Sequence, residues 1–304
     1  MRWSKKVLVL SSSTIRYLNI HKIFMDMLYS NSSLEMPESD TIIWRYLDFT
    51  KFVSMLDSSS IYFSRSDTLK DPFEGSYTKT NIDIRKSEIT DALIEFIKKI
   101  DPSRDKQNLL ESYAKCSKVA RELIYVNSWH INQYESAAMW QSYLKCDEGV
   151  AIKSSIGRFG LSLKETRDIV FAGKIKYIDY EKEVIPAENE YQPFMHKRKS
   201  FEYENEMRAM LRVPWHEIVD GVLTLYPDME IPNIMKAEEV MWTEDRLGMS
   251  GVLVHVNLDA LIEKIYIPPT AEDWFFDLVK SVTKKYEIHK EIVQSSLADK
   301  SPIF

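Results

Sequence analysis

Hydrophobic and polar positions fall into two kinds of run along this chain. Short runs rich in branched and aromatic residues predict strands. They are "TIIWRYL" (41–47), "SIYFSRSD" (60–67), "LIYVNSW" (123–129), "EGVAIKSS" (148–155), "GKIKYIDYE" (173–181), "GVLVHVNL" (251–258) and "IEKIYIPP" (262–269), with a last strand near 288–293. Runs with apolar residues every third or fourth position predict helices. "FTKFVSMLDSS" (49–59) puts Phe49, Phe52, Val53 and Leu56 on one face. Residues 134–145 do the same with Met139, Trp140, Tyr143 and Leu144, and 271–287 with Trp274, Phe275, Leu278, Val279 and Val282. Residues 84–123 read as a helical stretch broken by "DPSRD", with Ile89, Leu93, Phe96, Ile97 and Ile100 on a buried face. A polar connection runs from the strand at 173–181 to residue 200.

Strands joined by connections of mixed length, with clustered helices, predict an α+β fold instead of regular βαβ alternation. The expected architecture is a mixed or antiparallel twisted sheet with a helical insertion at about 84–123. The loop "NSSLEMPESDT" (31–41) sets off residues 1–40 as an N-terminal extension from a single domain at 41–304. No internal repeat or low-complexity tract interrupts this domain.

One strand carries charge in an unusual place. "FEYENEMRAML" (201–211) belongs to a strand expected at about 203–213. Alternation puts Met207, Ala209, Leu211 and Val213 on the core side, and Glu204, Glu206, Arg208 and Met210 on the other. The apolar side fixes the register. Met210 makes the charged side partly wet at most. Two carboxylates sharing a half-buried face repel, which raises one pKa, and Arg208 offsets this. The plain reading is an exposed ion-pair row, and the functional reading is the floor of an active site.

Composition narrows the classes. Hydrophobic residues are 44% and charged ones 28%, the balance of a globular protein with a real core. The net charge of −6 gives no global attraction to nucleic acid or anionic membrane. Cys116 and Cys146 are too few for a disulfide framework, so a reducing cytoplasm is expected. No apolar run approaches the roughly 20 residues that span a bilayer. The start "MRWSKKVLVLSSS" has too short an apolar stretch for a signal peptide and reads as a strand or tail. The eight glycines argue against a glycine-rich phosphate loop, and no P-loop, dinucleotide fingerprint, H-E-x-x-H, C-x-x-C or G-x-S-x-G motif is present. With six scattered His residues, no metal site is expected.

Three further stretches carry candidate chemistry. In "SDTLKDPFEG", Asp67, Asp71 and Glu74 fit no calcium-loop spacing, so the stretch reads as a turn at Pro72 and Gly75 with Phe73 plugging the core. In "SWHINQYESAAMWQSYLKCDEGVAI", Trp129, Trp140 and Tyr143 are either core or the lining of a pocket for flat rings, and His130 reads as a core or capping histidine. "HKRK" (196–199) is a solvated loop or a phosphate-holding edge, to which Arg45 and Arg65 could add.

These blocks together resemble a bacterial family, domain of unknown function 2971. The resemblance rests on "IWRYLDFTKFVSML", "SIYFSRSDTLKDPFEG", the "SWHINQYESAAMWQSYLKCDEGVAI" block, "KRKSFEYENEMRAML" and "ALIEKIYIPPTAEDWFFDLVK", in this order over about residues 42–294. The family name carries no activity. A second similarity is to ADP-ribosyltransferases, which have a basic residue on an early strand, Ser on the next and Glu-x-Glu on a later one. It implies a split sheet, NAD as cofactor, and no metal. Arg45 and Glu206 would be the catalytic pair that holds NAD and directs the ribose, with Glu204 helping the acceptor. Ser64 or Ser66 would be the serine. Trp140 or Tyr143 would stack on a ring, and Arg208, Lys197 and Arg198 would hold phosphate. The partners implied are a small nucleotide and an acceptor of unspecified kind, in a phage-defence or toxin setting. Two other classes remain open on the residues: a non-enzymatic sensor or partner-binding module, and a nucleic-acid-processing enzyme.

Overall fold

The computed structural model describes residues 34–99, 105–143, 148–166, 168–212, 216–219, 222–225 and 249–297. Strand β1 (Ile42–Asp48) runs into helix α1 (Phe49–Ser58), whose first turn is capped by the Asp48 carboxylate accepting from the Lys51 N–H. Strand β2 (Ser60–Arg65) follows. Then come α2 (Lys79–Glu88), α3 (Asp91–Lys98) and α4 (Lys106–Leu123), capped by Thr78, Thr90 and Asp105. The middle of the chain forms β3 (Ile124–Ile131), α5 (Ala137–Tyr143), β4 (Gly149–Ser155), α6 (Ile156–Ser162), β5 (Phe171–Lys174), β6 (Lys176–Ile178), β7 (His196–Arg198) and β8 (Glu206–Arg212). It ends in β9 (His216–Val219), β10 (Val222–Leu225), β11 (Gly251–His255), α7 (Leu258–Leu261), β12 (Lys264–Ile267), α8 (Asp273–Lys285) and β13 (Glu291–Gln294).

The fold is α+β with a mixed sheet ordered β11-β2-β3-β1-β4-β12-β13, from which β8 and β5 branch at β3. Its pairings are antiparallel except β12 with β13. The strand β3 is its axis. On one side it pairs with β8 along its length, from Ile124↔Arg212 to His130↔Glu206. On the other side two strands share it. The strand β2 meets only its start, at Ser64↔Val126 and Arg65↔Tyr125, and β1 only its end, at Ile43↔Ile131 and Trp44↔His130. The sheet therefore splits between β1 and β2. Among the described residues no helix is long and apolar enough to cross a membrane.

Both faces of the β3–β8 pair are covered. Met207, Ala209 and Leu211 join Tyr125, Trp129, Phe52, Phe159 and Phe275 in the main core, as the alternation predicts. Met210, Ile124 and Val126 pack on the other face against Tyr191, Phe194, Met195 and Leu34. The charged face of β8 is thus buried, with Glu206 and Arg208 at 3% and 1% exposure, where a partly wet face is expected. The cover is the stretch 175–204, read from sequence as a polar connection. It holds the parallel pair β6–β7 and two 3₁₀ turns.

Several expectations are corrected. The strand starts at Glu206, not 203, because Asn205 adopts left-handed φ 36° and its side-chain amide donates to the Ile131 carbonyl, 2.6 Å. Glu204 therefore ends a 3₁₀ turn (Lys199–Glu204) and shares no strand face with Glu206. The insertion starts earlier, at Lys79, and Leu93 and Phe96 of α3 are exposed. Trp274 and Leu278 also face out, leaving Phe275 and Val279 as the buried stripe of α8. Phe73 does not plug the core. It is 42% exposed and stacks against the Arg198 guanidinium. The predicted loop at 31–41 docks where it is described, with Leu34 buried and the Glu35 carbonyl accepting from the Lys174 N–H, 2.7 Å. Residues 1–33 of the predicted extension, Ile100, the "DPSR" break, Leu144 and Val213 lie outside the described residues.

Candidate functional site

The split leaves the middle of β3 without a backbone partner on one side. Side chains bridge the gap. Arg45 of β1 donates from Nη1 to the Ser128 carbonyl, and Asn127 of β3 donates from Nδ2 to the Tyr62 carbonyl of β2, 2.8 Å. Trp129 fixes the Asn127 amide by donating from Nε1 to its Oδ1, 2.7 Å. A strand left half-paired must satisfy its polar groups in some such way. The consequence is a cavity of ≈ 560 Å³ between β1 and β2. Its lining includes Arg45, Tyr46, Tyr62, Ser64, Ser128, His130, Tyr143, Glu204 and Glu206. Its size and mixed apolar and polar walls match a small-molecule site.

Behind the cavity floor lies a closed ion network. Glu206 accepts four hydrogen bonds: from Ser128 Oγ at 2.5 Å, Arg208 Nε at 2.6 Å, Arg208 Nη2 at 3.1 Å and Lys197 Nζ at 3.1 Å. Its backbone N–H donates to the Tyr177 hydroxyl, 2.9 Å. Arg208 also donates to Glu74 Oε2 at 2.5 Å and the Phe194 carbonyl at 2.8 Å. Lys197 lies 3.4 Å from Glu74 and pairs with Glu204. Gly75, at φ 74°, makes the turn that brings Glu74 inward, and a Cβ there would sit 2.5 Å from the Phe194 ring.

The electrostatics separate the two predicted carboxylates. Burial opposes charge on Glu206, but Arg208 and Lys197 outweigh it and hold the carboxyl at about 2. Burial raises Glu204, and Lys197 only partly offsets this. Burial lowers Arg45 to about 10, with Tyr143 and Glu206 favouring its charge.

Of the residues predicted from sequence, Arg45, Glu204, Glu206, Ser64 and Tyr143 come together on the cavity. The others do not. Ser66 is buried in the turn after β2, its hydroxyl donating to the Arg121 carbonyl, 2.7 Å. Trp140 packs edge-on behind Tyr46, 5.1 Å between rings, and donates to Glu135 Oε2, 3.0 Å. Arg208 and Lys197 serve the network behind Glu206, and Arg198 is held by Asp71, 2.8 Å. The "HKRK" residues do not line the cavity: the first two are buried in β7, and Lys197, Arg198 and Lys199 each face a carboxylate. Asp67, Asp71 and Glu74 face Arg65, Arg198 and Arg208 respectively, which accounts for all three acids of "SDTLKDPFEG".

Sequence reading missed Ser128, Tyr62 and Tyr46, which carry no motif. His130, read as a core or capping histidine, is buried at 6% exposure with its Nδ1 donating to the Glu204 carbonyl at the end of the 3₁₀ turn, and the residue also borders the cavity. The signal available for Ser128 and His130 was their period-two spacing on a strand beside the acidic one. Set against known proteins, the chain matches no family model, no curated protein and no solved structure.

Proposed function

We propose that this chain is an NAD- or nucleotide-handling enzyme of ADP-ribosyltransferase-like type, related to the domain of unknown function 2971 family, with the cavity in the sheet split as its site. One observation carries the reading: Arg45 from β1, Ser64 from β2, and Glu204 and Glu206 from around the start of β8 line one cavity. The available groups fit a nucleotide. Arg45 offers N–H groups for phosphate, Tyr62 and Tyr143 offer rings at 44% and 47% exposure, and carboxylates offer acceptors for hydroxyls.

The chemistry follows from the two carboxylates. Breaking the bond between nicotinamide and ribose C1′ sends the electron pair out with nicotinamide and builds positive charge on the ribose. Glu206 stays ionised throughout the physiological range and stabilises that charge electrostatically. It cannot act as a proton donor there. Its roughly four lone-pair sites are filled, so Ser128 must turn its hydroxyl away before Glu206 accepts from a ribose. Glu204 has the raised pKa and one carboxylate oxygen directed to Lys197. It takes the proton of the acceptor as the acceptor forms its bond to C1′.

The test is nicotinamide release from NAD by the wild type and by Glu204→Gln, with the NAD-induced rise in Tm measured alongside. Release that falls at least about 100-fold in the variant, with the Tm rise kept, supports the reading. No release with any acceptor and no rise in Tm sinks it. A partner-binding module is the second reading, favoured by the exposed Leu93 and Phe96 on α3. It predicts that Glu204→Gln leaves the biological phenotype intact.

A further inference from the structure

We infer that the Tyr62 ring, seated on Gly251, is a stacking platform at the rim of the cavity and takes the adenine base of the dinucleotide. This rests on the nucleotide reading above and adds to it the end of the site that holds the base.

Tyr62 on β2 and Gly251 on β11 are diagonal neighbours in an antiparallel pair, since Gly251 is the register partner of Ser64 and Leu253 that of Tyr62. A Cβ at Gly251 would stand 2.1 Å from both Cζ and Oη of Tyr62 and 2.6 Å from Cε2. Equal distances to two bonded atoms, with a ring carbon only a little further, are those of an approach onto the flat of a ring and not onto its edge. One face of the ring therefore lies on the Gly251 backbone. Glycine weakens a strand, and Gly251 lacks the positive φ that would itself call for one. The ring above it is what excludes a side chain there.

The opposite face of the ring points away from the sheet, and Tyr62 is 44% exposed. Leu253 beside it is 42% exposed, and both line the cavity, so the cavity rim extends across β2 onto β11. Tyr46 in the same cavity is already engaged, its ring edge-on to Trp140 at 5.1 Å and its hydroxyl accepting from the Ser136 N–H at 2.7 Å. No such ring contact occupies Tyr62 among the described residues. A ring with one face on backbone and the other open offers a flat apolar surface at little entropic cost, which suits a nucleobase of any kind.

Position selects which ring of the dinucleotide it takes. Strands β8, β3, β2 and β11 follow one another across the sheet. Glu206 and Gly251 thus sit on strands three spacings apart, roughly 14 Å. Nicotinamide is bonded directly to the ribose assigned to Glu206 and stays on that side. The adenine, beyond both phosphates, reaches Tyr62.

The experiment measures dissociation constants by calorimetry on the full chain for NAD, AMP and nicotinamide mononucleotide. The proteins are the wild type, Tyr62→Phe, Tyr62→Leu and Gly251→Ala. Tyr62→Leu should weaken NAD and AMP by about 5- to 100-fold and spare the mononucleotide, with Phe close to the wild type. Gly251→Ala should weaken the same two ligands, because the added methyl displaces an exposed, rotatable ring and not backbone. Should Gly251→Ala fail to fold, the Leu and Phe pair gives the same comparison. If Tyr62→Leu binds NAD and AMP as the wild type does, or weakens all three ligands by one factor, the assignment of Tyr62 is overturned and the nucleotide reading stands. If none of the three binds the wild type, the nucleotide reading falls and the platform with it.

Discussion

Two groups of polar side chains meet at Glu206, and they differ in how completely each is satisfied. Behind it, Lys197 and Arg208 give Glu206 three of its four hydrogen bonds, Ser128 gives the fourth, and Glu74 takes a further bond from Arg208. In front, Arg45, His130 and Glu204 line a cavity, and one side-chain hydrogen bond is described for each: Arg45 to the Ser128 carbonyl, His130 to the Glu204 carbonyl and Glu204 to Lys197. Both groups draw on the same residue types and both are largely buried. The number of hydrogen bonds made, and not charge or burial, is what distinguishes the two groups.

The comparison breaks first on Arg208. Arg208→Met leaves Glu74 and Glu206 buried without their shared cation, so stability should fall by about 3–5 kcal/mol in urea unfolding. A loss under about 1 kcal/mol would mean the rear cluster holds nothing together.

Acid should dissect the molecule next. Glu206 has a folded pKa of about 2 against an ordinary 4.5. Its stabilisation is present above 4.5 and is lost as pH falls from there through about 2. His130 and His196 are lowered by burial, each partly offset by a backbone carbonyl. They are neutral in the fold and charge more readily when unfolded, so stability should start to decline as pH falls below 6.5. Glu204, being raised, works the other way and is relieved by acid. Tm measured against pH should therefore drop in two stages. His196→Gln should shrink the upper stage only, and an unchanged upper stage in that variant removes His196 from it.

The front of the site responds differently. Arg45→Gln removes one bridge across the split, so about 1 kcal/mol of stability is expected to go. On the proposed nucleotide reading, a rise in Tm with NAD should vanish with it. A variant that keeps the full rise would take Arg45 out of the binding site.

The smallest effect sharpens the boundary between the two groups. Glu204 reaches Lys197 with one oxygen and lines the cavity. Since burial already disfavours its charge, Glu204→Gln should change stability by less than about 1 kcal/mol. Glu206→Gln, which strips charge from a carboxylate held by two cations, should cost several times more. Equal losses in chemical denaturation would erase the distinction drawn between the two acids.

Periodicity placed much of the main core, though it also turned Trp274 and Leu278 inward where they face out. Met207, Ala209 and Leu211 on β8, Phe52 and Leu56 on α1, and Phe275 and Val279 on α8 lie where their spacing puts them. Side-chain direction repeats with the backbone, so a local pattern suffices. Gathering Arg45, Ser64 and Glu206 into one site came from resemblance in the order of motifs, and the cavity between β1 and β2 gives that grouping a shape. The rest was not legible. Glu74 reaches Arg208 across 134 positions, and Lys197 looks from sequence like a solvated loop residue. Phe96 lies on an amphipathic stripe, yet it is exposed among the described residues. Whether a charge is paired, a stripe is covered or a strand is shared between two neighbours depends on segments far away in the chain. Period and composition describe one segment at a time. Only the packed sheet, split between β1 and β2, decided that Glu206 closes an ion network at the edge of a cavity.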